Sequence, residues 1–537
     1  MLRSLALRAR RPCSLLLALL PQEQAAAAAA AAVAAAAWPA PMPMHDAAAS
    51  SSPPPPAPLL PPPPPARARR AFSSSPEVDE HAAAAAAAAA APSTREEDTT
   101  EYMEFPGGRV PYTTRLRFVA GVAAPPDGGD DGATATPTTP SSVHDRPGGV
   151  LPSWPAPSPN ARPPRQIPCY RTLDASGAPI AHADAPHDLD EARAAQLYST
   201  MARLQTMDAL FYEAQRQGRF SFYMTSAGEE GTVVGAAAAL DPDDLLLAQY
   251  REQGALMWRG YTPREFALQC YGSALDPSMG RQMPIHYGSA RLRYHTVSSP
   301  LATQLPHAVG AAYAMRARGE RRVSAAFFGE GAASEGDFHA ALNFAATLGA
   351  PTLFLCRNNG YAISTPAAEQ YAGDGVAGRG PAYGVPAVRV DGGDARAVYN
   401  AVAAARALAL ERGGPVLIEA MSYRSGHHST SDDSSRYRSA GEMAAWRARD
   451  PVVRLRNWLW HARGWWDAER EAAVRGAGRR EAVAALEEGA RAPQPTVSSM
   501  FDDVYAEVPW HLREQREATL AFAKRHADLV PPGVEVV

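Results

Sequence analysis

Residues 323–361 hold the pattern that most limits what this chain can fold into. Val323-Ser-Ala-Ala-Phe-Phe328 is a short, mostly apolar run closed by Gly329-Glu330-Gly331, as a buried parallel strand ending in a tight turn would be. A helical pattern follows. Ser334 is placed to cap it, Phe338, Ala341, Leu342, Ala345 and Leu348 recur on one face, and Gly349 supplies the stop. Pro351 opens a second apolar run, Thr352-Leu-Phe-Leu-Cys356, which ends at Arg357-Asn358-Asn359-Gly360-Tyr361. Strand, helix and strand in this order make a βαβ unit, whose crossover brings both loops to the same carboxyl edge of one parallel sheet. An α/β fold is predicted, with a ligand site at that edge.

The residue types in the two loops suggest which ligand. The Glu330 carboxylate and an Asn amide offer the oxygen donors that a hard divalent cation such as Mg²⁺ prefers, commonly alongside phosphate oxygens. Flanking glycines let the backbone approach a phosphate, and the helix amino end beyond Ser334 adds amides and a favourable dipole. Gly-Glu-Gly by itself fits equally an ordinary turn with an exposed Glu, and Asn359-Gly360 an ordinary Asn-Gly turn. Their pairing across one βαβ unit favours a magnesium-diphosphate clasp.

Gly329 to Asn359 resembles the thiamine diphosphate motif. The wider stretch from Met201 to Ser439 resembles the alpha subunits of the mitochondrial branched-chain 2-oxoacid dehydrogenases, through Arg216-Gln-Gly-Arg219, Gly228-Glu-Glu-Gly231, Gln249-Tyr-Arg-Glu252 and Gly280-Arg-Gln-Met-Pro284. Ser298-Ser-Pro-Leu-Ala-Thr-Gln304, Phe328-Gly-Glu-Gly-Ala-Ala-Ser-Glu-Gly-Asp337 and Gly426-His-His-Ser-Thr-Ser-Asp-Asp433 continue it. Weaker similarity runs back to Phe105-Pro-Gly-Gly108 and forward through Gly464-Trp-Trp-Asp467 to Val504-Tyr505. The resemblance implies a thiamine-diphosphate-binding fold, a parallel sheet flanked by helices with a helical C-terminal portion. It also implies oxidative decarboxylation of the branched-chain 2-oxoacids from Leu, Ile and Val catabolism, with reductive acylation of the lipoyl group on a dihydrolipoyl transacylase core.

Residue by residue, the resemblance makes Gln249, Tyr250, Arg251, Gly329, Glu330, Gly331, Ala332, Arg357, Asn359 and His428 cofactor-binding, with Ser299 and Leu301 near the ring system. Glu330, Asn359 and the Tyr361 main-chain oxygen are the implied Mg²⁺ ligands, and Ser298, Pro300, Thr303 and Gln304 an implied K⁺ site. Read without it, Arg251 is a surface ion-pair residue and Thr303 and Gln304 a polar helix start. His428 is the catalytic candidate, as proton donor or orienting group; by residue type alone it is a histidine in a polar loop. His427 and His286 have weaker claims, the latter as a residue facing a substrate channel.

Two further expectations come from the family. Activation of the cofactor requires a carboxylate that the alpha subunits receive from a beta subunit, so an α2β2 heterotetramer is implied. The serines matching Ser429 and Ser439 are phosphorylated there by a dedicated kinase and released by a phosphatase. Read from the residues, Ser425 to Ser439 is a polar loop with little apolar anchorage, and a phosphate at Ser429 would add up to about two negative charges beside an anionic cofactor.

Composition matters most at the amino end. Residues 1–100 consist of runs such as Pro61 to Pro65 and Ala82 to Ala91, which cannot build a varied core. Arg3, Arg8, Arg10 and Arg11 precede any acidic residue, the first being Glu23, which suits an organellar presequence and thus the mitochondrial matrix. A secretory signal is the rival, but the apolar run Leu15 to Leu20 is short. Arg69-Arg-Ala-Phe-Ser-Ser-Ser75 resembles a mitochondrial processing site, with a mature start near Ser73. The expected organisation is a presequence at 1–72, a tail at 73–100, an N-terminal arm at 101–200 with an insertion at about 122–164, the cofactor domain at 201–445 and the helical portion at 446–537. Within that last portion, helices are expected at Val452 to His461, Asp467 to Ala490 and Leu512 to Ala527, the last against the beta subunit. Four cysteines without paired spacing read as reduced thiols, and a net charge of −4 gives no reason to expect nucleic acid. The rival functions are a pyruvate dehydrogenase alpha subunit and a non-catalytic scaffold that binds a beta subunit.

Overall fold

The computed structural model describes residues 101–106, 108–120 and 166–537. The expected presequence, the tail with its processing site and the Val122 to Pro164 insertion lie outside these residues. Strands β1 (Tyr102–Phe105), β2 (Gly108–Thr113), β3 (Cys169–Tyr170), β4 (Leu245–Leu247), β5 (Tyr294–His295), β6 (Ser324–Gly329), β7 (Thr352–Asn358), β8 (Tyr361–Ala362), β9 (Thr365–Pro366), β10 (Ala387–Asp391) and β11 (Val416–Met421) follow in chain order. The main helices are α1 (Glu191–Arg216), α2 (Glu230–Ala239), α3 (Gln304–Ala317), α4 (Gly336–Leu348), α5 (Ala395–Arg412), α6 (Ala440–Arg447), α7 (Pro451–Asn457), α8 (Ala468–Arg491) and α9 (Trp510–Arg525).

Nine strands form one sheet in the order β1-β2-β3-β10-β11-β7-β6-β4-β5. All neighbours run parallel except the antiparallel edge pair β1 and β2. Successive side chains point to opposite faces, and both faces are covered. Ala325, Phe327, Leu353 and Leu355 enter one core with α1, α2, α5 and α8, whereas Ala326, Phe328, Phe354 and Cys356 enter the other with α3 and α4. This is why the central strands read as unbroken apolar runs. Each fully buried Phe or Leu contributes about 1.5–3 kcal/mol relative to an exposed one.

The expected βαβ unit is present, with two local differences. Ser334 does not cap α4: Ala332–Ser334 forms a short 3-10 turn, and α4 begins after Glu335 without a side-chain cap. The turn closes on itself through Ser334 N–H to the Gly331 carbonyl and Glu335 N–H to the Ala332 carbonyl, which moves the helix start past the serine. Phe338, Ala341, Leu342 and Ala345 are buried as expected, but Leu348, at the flank of that stripe, is exposed beside Phe344. Gly349 ends the helix in the left-handed conformation.

In the C-terminal portion, the run expected as one helix from Val452 to His461 is α7 continuing into a π-helical turn, Trp458–Arg463. Asp467 caps α8 by accepting the Arg470 N–H. In α9 only Ala523 is buried, while Trp510 and Phe522 stay exposed. No described helix is long and apolar enough to cross a membrane.

Strand register sets the position of the site. Leu247 pairs with Ala326, Gly329 with Arg357 and Asn358 with Met421, so the segments leaving β4, β6, β7 and β11 emerge side by side at one edge.

Candidate active site

A cavity of ≈ 280 Å³ opens at that carboxyl edge. Gln249, Tyr250 and Arg251 reach it from β4, and Gly329, Glu330, Gly331 and Ala332 from β6. Arg357, Asn359 and Tyr361 come from the end of β7, Ser299 and Leu301 from the segment before α3, and Arg424 and His428 from the segment after β11. The structure therefore gathers every residue expected to bind the cofactor around one space. The Gly329–Ala332 turn lines this side of the cavity, and the start of α4 lies beyond the lining.

Glu330 is fully buried and only half satisfied. One oxygen, Oε2, accepts the Asn359 N–H at 3.3 Å, and Oε1 has no protein partner. Burial pushes its carboxyl up to about 7, with the nearby Glu229 adding to the effect. Asn359 is oriented from both ends. Its Nδ2 donates to Glu229 Oε1 at 2.9 Å, and its Oδ1 accepts the Tyr361 N–H at 3.2 Å. Glu330 and Asn359 can hold a hard cation through oxygen, although among the described residues no group of three His, Cys, Asp or Glu side chains clusters as a metal site.

Arg357 lies between two buried carboxylates. Its Nη1 donates to Glu229 Oε2 at 2.5 Å, and its Nε is in charge contact with Glu252 Oε1 at 2.5 Å. Burial by itself would raise the Glu229 carboxyl, but the Arg357 and Arg251 guanidiniums outweigh it and hold the group below its ordinary value. The other Glu252 oxygen accepts the N–H groups of Gln249, Tyr250 and Arg251 at 3.0, 2.9 and 2.9 Å, shaping the loop after β4. Gln249 Oε1 in turn accepts the Gly329 N–H at 2.9 Å.

Glu229, Glu252 and Arg424 were not among the expected site residues. Both acids lie in motifs that the sequence displays, yet spacing cannot reveal that Glu229 meets an arginine 128 positions away.

Arg251 is buried and joins two loops. It donates to the Thr225 carbonyl at 2.9 Å, and its Nη2 meets His428 Nδ1 at 3.2 Å and the His428 carbonyl. Arg424 approaches the same Nδ1 at 3.4 Å. Burial, then the two guanidiniums, push the His428 imidazole down to about 3. With only donors on Nδ1, the neutral ring carries its proton on Nε2. The Tyr250 ring stands edge-on to it, with centroids 6.2 Å apart.

The segment that bears His428 is tied down by polar contacts. Asp432 accepts the His428 N–H at 2.7 Å and the Tyr437 hydroxyl at 2.6 Å, and Arg438 donates to the Gly426 carbonyl at 2.7 Å. Ser429 is buried, its hydroxyl 3.0 Å from that of Ser431. Ser439 is exposed and caps α6 by accepting the Glu442 N–H at 3.1 Å.

A second cluster of oxygens lies before α3. The Ser298 and Thr303 hydroxyls are 2.9 Å apart, and Thr303 donates to the Pro300 carbonyl at 3.0 Å. Gln304 donates to the Phe327 carbonyl at 2.7 Å, leaving its buried Oε1 without a protein partner. Thr303 makes no helix-capping hydrogen bond.

Two histidines fall elsewhere. His286 is buried with its Nδ1 3.1 Å from the Pro284 carbonyl, and this turn holds it away from the cavity lining. His427 is exposed and accepts the Ser434 N–H at 3.1 Å, a contact within its own loop.

A model of the family described as "Dehydrogenase E1 component" matches residues 198–498. The chain is 53% identical over 366 residues to the 2-oxoisovalerate dehydrogenase subunit alpha, mitochondrial, of Homo sapiens, spanning 68% of this chain and 82% of that one. It is 50% identical over 435 residues to 2-oxoisovalerate dehydrogenase subunit alpha 2, mitochondrial, of Arabidopsis thaliana, spanning 81% of this chain and 83% of the relative. The corresponding protein of Caenorhabditis elegans is 50% identical over 367 residues, 68% of this chain and 84% of its own length. With a doubly covered parallel sheet, a half-satisfied buried Glu330 at its carboxyl edge and a family match across more than half its length, this chain belongs to the dehydrogenase E1 component family.

Proposed function

We propose that this chain is the alpha subunit of a mitochondrial branched-chain 2-oxoacid dehydrogenase, the component that decarboxylates the 2-oxoacids derived from Leu, Ile and Val. The observation that carries the reading is the buried, unpartnered Glu330 Oε1 beside Asn359, in a cavity that also presents Arg251 and Arg357. A carboxylate left half satisfied in the interior costs several kcal/mol, and a hard cation held there would offset that cost. The donors present thus fit Mg²⁺, which Glu330, Asn359 and the Tyr361 carbonyl would hold, and the Gly329–Ala332 turn would hold thiamine diphosphate. The oxygens of Ser298, Pro300, Thr303 and Gln304 fit a K⁺ ion that braces the loop carrying Ser299 and Leu301. The identity to proteins named 2-oxoisovalerate dehydrogenase supports the branched-chain substrate over pyruvate.

When bound, thiamine diphosphate supplies a nucleophilic carbon and an electron sink for loss of CO₂. The protein's part is positional and electrostatic. Arg251 and Arg357 would hold the diphosphate side of the cofactor, and Arg251 also clasps the loop bearing His428. His428, neutral with its proton on Nε2, would donate a hydrogen bond to the substrate oxygen or orient the group transferred to the transacylase. Its Nδ1 is held by two arginines, so the donor end is the free one. The carboxylate that activates the cofactor comes from a beta subunit in an α2β2 assembly, in the mitochondrial matrix. Kinase action on Ser429 and Ser439, reversed by a phosphatase, regulates the His428 loop.

The test is decarboxylation of 3-methyl-2-oxobutanoate and pyruvate, in parallel, by the chain co-expressed with a matching beta subunit, Mg²⁺ and thiamine diphosphate. Turnover of the branched acid that disappears in Glu330→Ala is expected. Preference for pyruvate would reassign the substrate, and an intact but inert heterotetramer would favour the scaffold reading.

A further inference from the structure

We propose that Glu229 is the positioning residue that sets the side-chain amide of Asn359 oxygen-first for the cation. This inference rests on the reading of Glu330 and Asn359 as the cation site. An asparagine amide is nearly symmetric in shape, so packing alone does not decide which end carries the oxygen. Glu229 decides it chemically. Its carboxylate is fully buried and accepts only, which draws Nδ2 of Asn359 to Oε1 at 2.9 Å. At the other end, the Tyr361 N–H donates to Oδ1 at 3.2 Å. Reversing the amide would set oxygen against carboxylate and NH₂ against N–H, two repulsive contacts at once.

The second Glu229 oxygen takes Arg357 Nη1 at 2.5 Å. One carboxylate therefore orients both the cation's amide ligand and the Arg357 guanidinium. Gly228 supports this geometry: with φ +89, it lies so close to the Tyr423 carbonyl that a Cβ would meet that oxygen at 2.0 Å. The glycine brings the Glu229 backbone down beside the segment leaving β11, and the side chain reaches β7 from there. Glu252, on the far side of Arg357, is no substitute, because its remaining oxygen is taken by three backbone N–H groups.

The experiment uses the full heterotetramer with thiamine diphosphate and reads Mn²⁺ binding by electron paramagnetic resonance, beside the melting temperature. Glu229→Gln, which can present an amide of either polarity, is expected to weaken Mn²⁺ about tenfold. Asn359→Asp alone places two carboxylates together and is expected to weaken it further. The double variant Glu229→Gln/Asn359→Asp restores donor against acceptor, and Mn²⁺ affinity should return to within about threefold of the parent. Additive losses in the double variant, or unchanged binding in Glu229→Gln, would overturn the assignment. Glu330→Ala separates the two layers: if Mn²⁺ binding survives that change, the cation site itself is wrong, whereas its loss there with no effect of Glu229→Gln condemns only the role of Glu229. Should Glu229→Gln fail to assemble, the double variant is compared with Asn359→Asp, which carries the same new carboxylate: tighter Mn²⁺ binding in the double variant requires the reversed hydrogen bond, and equal or weaker binding overturns the assignment.

Discussion

Arg251 and His428, 177 positions apart in the chain, meet guanidinium to imidazole at 3.2 Å. Burial first, and then this contact, keep the imidazole neutral, and the contact also fixes its place. A neighbouring cation disfavours imidazolium, and a donor on Nδ1 selects the Nε2–H tautomer.

His428 should therefore stay neutral across the physiological range. Its folded pKa, about 3, lies below the ordinary 6.5, so the stability it contributes is present above pH 6.5 and declines as pH falls toward 3. Allowing for its partial exposure, the loss by pH 5 is on the order of 1 kcal/mol. The protection factors of residues 425–439, corrected for the slower intrinsic exchange at low pH, should fall between pH 7 and pH 5 in the parent protein and change much less in His428→Gln.

Arg251→Lys keeps the charge but loses the fork that reaches both the Thr225 carbonyl and His428. Thiamine diphosphate affinity should fall by about 10–100-fold, roughly 1.4–2.7 kcal/mol, as read by cofactor titration. Proteolytic cleavage within residues 425–439 should rise in parallel. An unchanged cleavage rate would separate cofactor binding from loop order.

Glu330 gives a pH dependence of the opposite sense. With its folded pKa raised to about 7, the empty site is best tolerated below the ordinary 4.5 and is penalised as pH rises through 7. Mg²⁺ with thiamine diphosphate requires the carboxylate, so the thermal shift they produce should grow from pH 6 to pH 8. In Glu330→Gln that shift should be small and flat with pH.

The two serines should respond differently to phosphate. Ser429 is buried against Ser431, close to Asp432, so a dianion there meets burial and like charge together. Ser439 is exposed at the start of α6, where negative charge is favoured. Ser429→Glu should cut decarboxylation at least 100-fold and loosen residues 425–439 in hydrogen exchange, while Ser439→Glu should change activity less than threefold.

Stability rests on the doubly covered sheet. Phe327 is fully buried in the central strand β6, and Phe327→Ala should destabilise the fold by about 3–5 kcal/mol in denaturant unfolding. Exposed Leu348→Ala, at the flank of α4, should cost well under 1 kcal/mol in the isolated chain.

Local pattern carried much of this protein. Apolar runs bounded by Gly-Glu-Gly and Asn-Asn-Gly announce β6 and β7 because a strand covered on both faces has no polar side to show. The stripe from Phe338 to Ala345 and the stop at Gly349 announce α4 because helical periodicity and a left-handed glycine are properties of neighbouring residues. Its start falls past Ser334, the cap that the pattern predicts, since a 3-10 turn competes with a cap and the two differ only in hydrogen bonding.

What tertiary structure alone decided is who meets whom across strands. The βαβ pattern sets the loops after residues 329 and 358 at one edge, but the order β11-β7-β6-β4, which adds the loops after 247 and 421, is encoded by no spacing rule. From it follow the pairing of Arg357 with Glu229 and Glu252, the grip of Arg251 and Arg424 on His428, and the separation of His286 from the cavity. The physical reason is that buried charged groups need counter-charges or hydrogen-bond partners, and these come from whichever loop the sheet topology sets alongside.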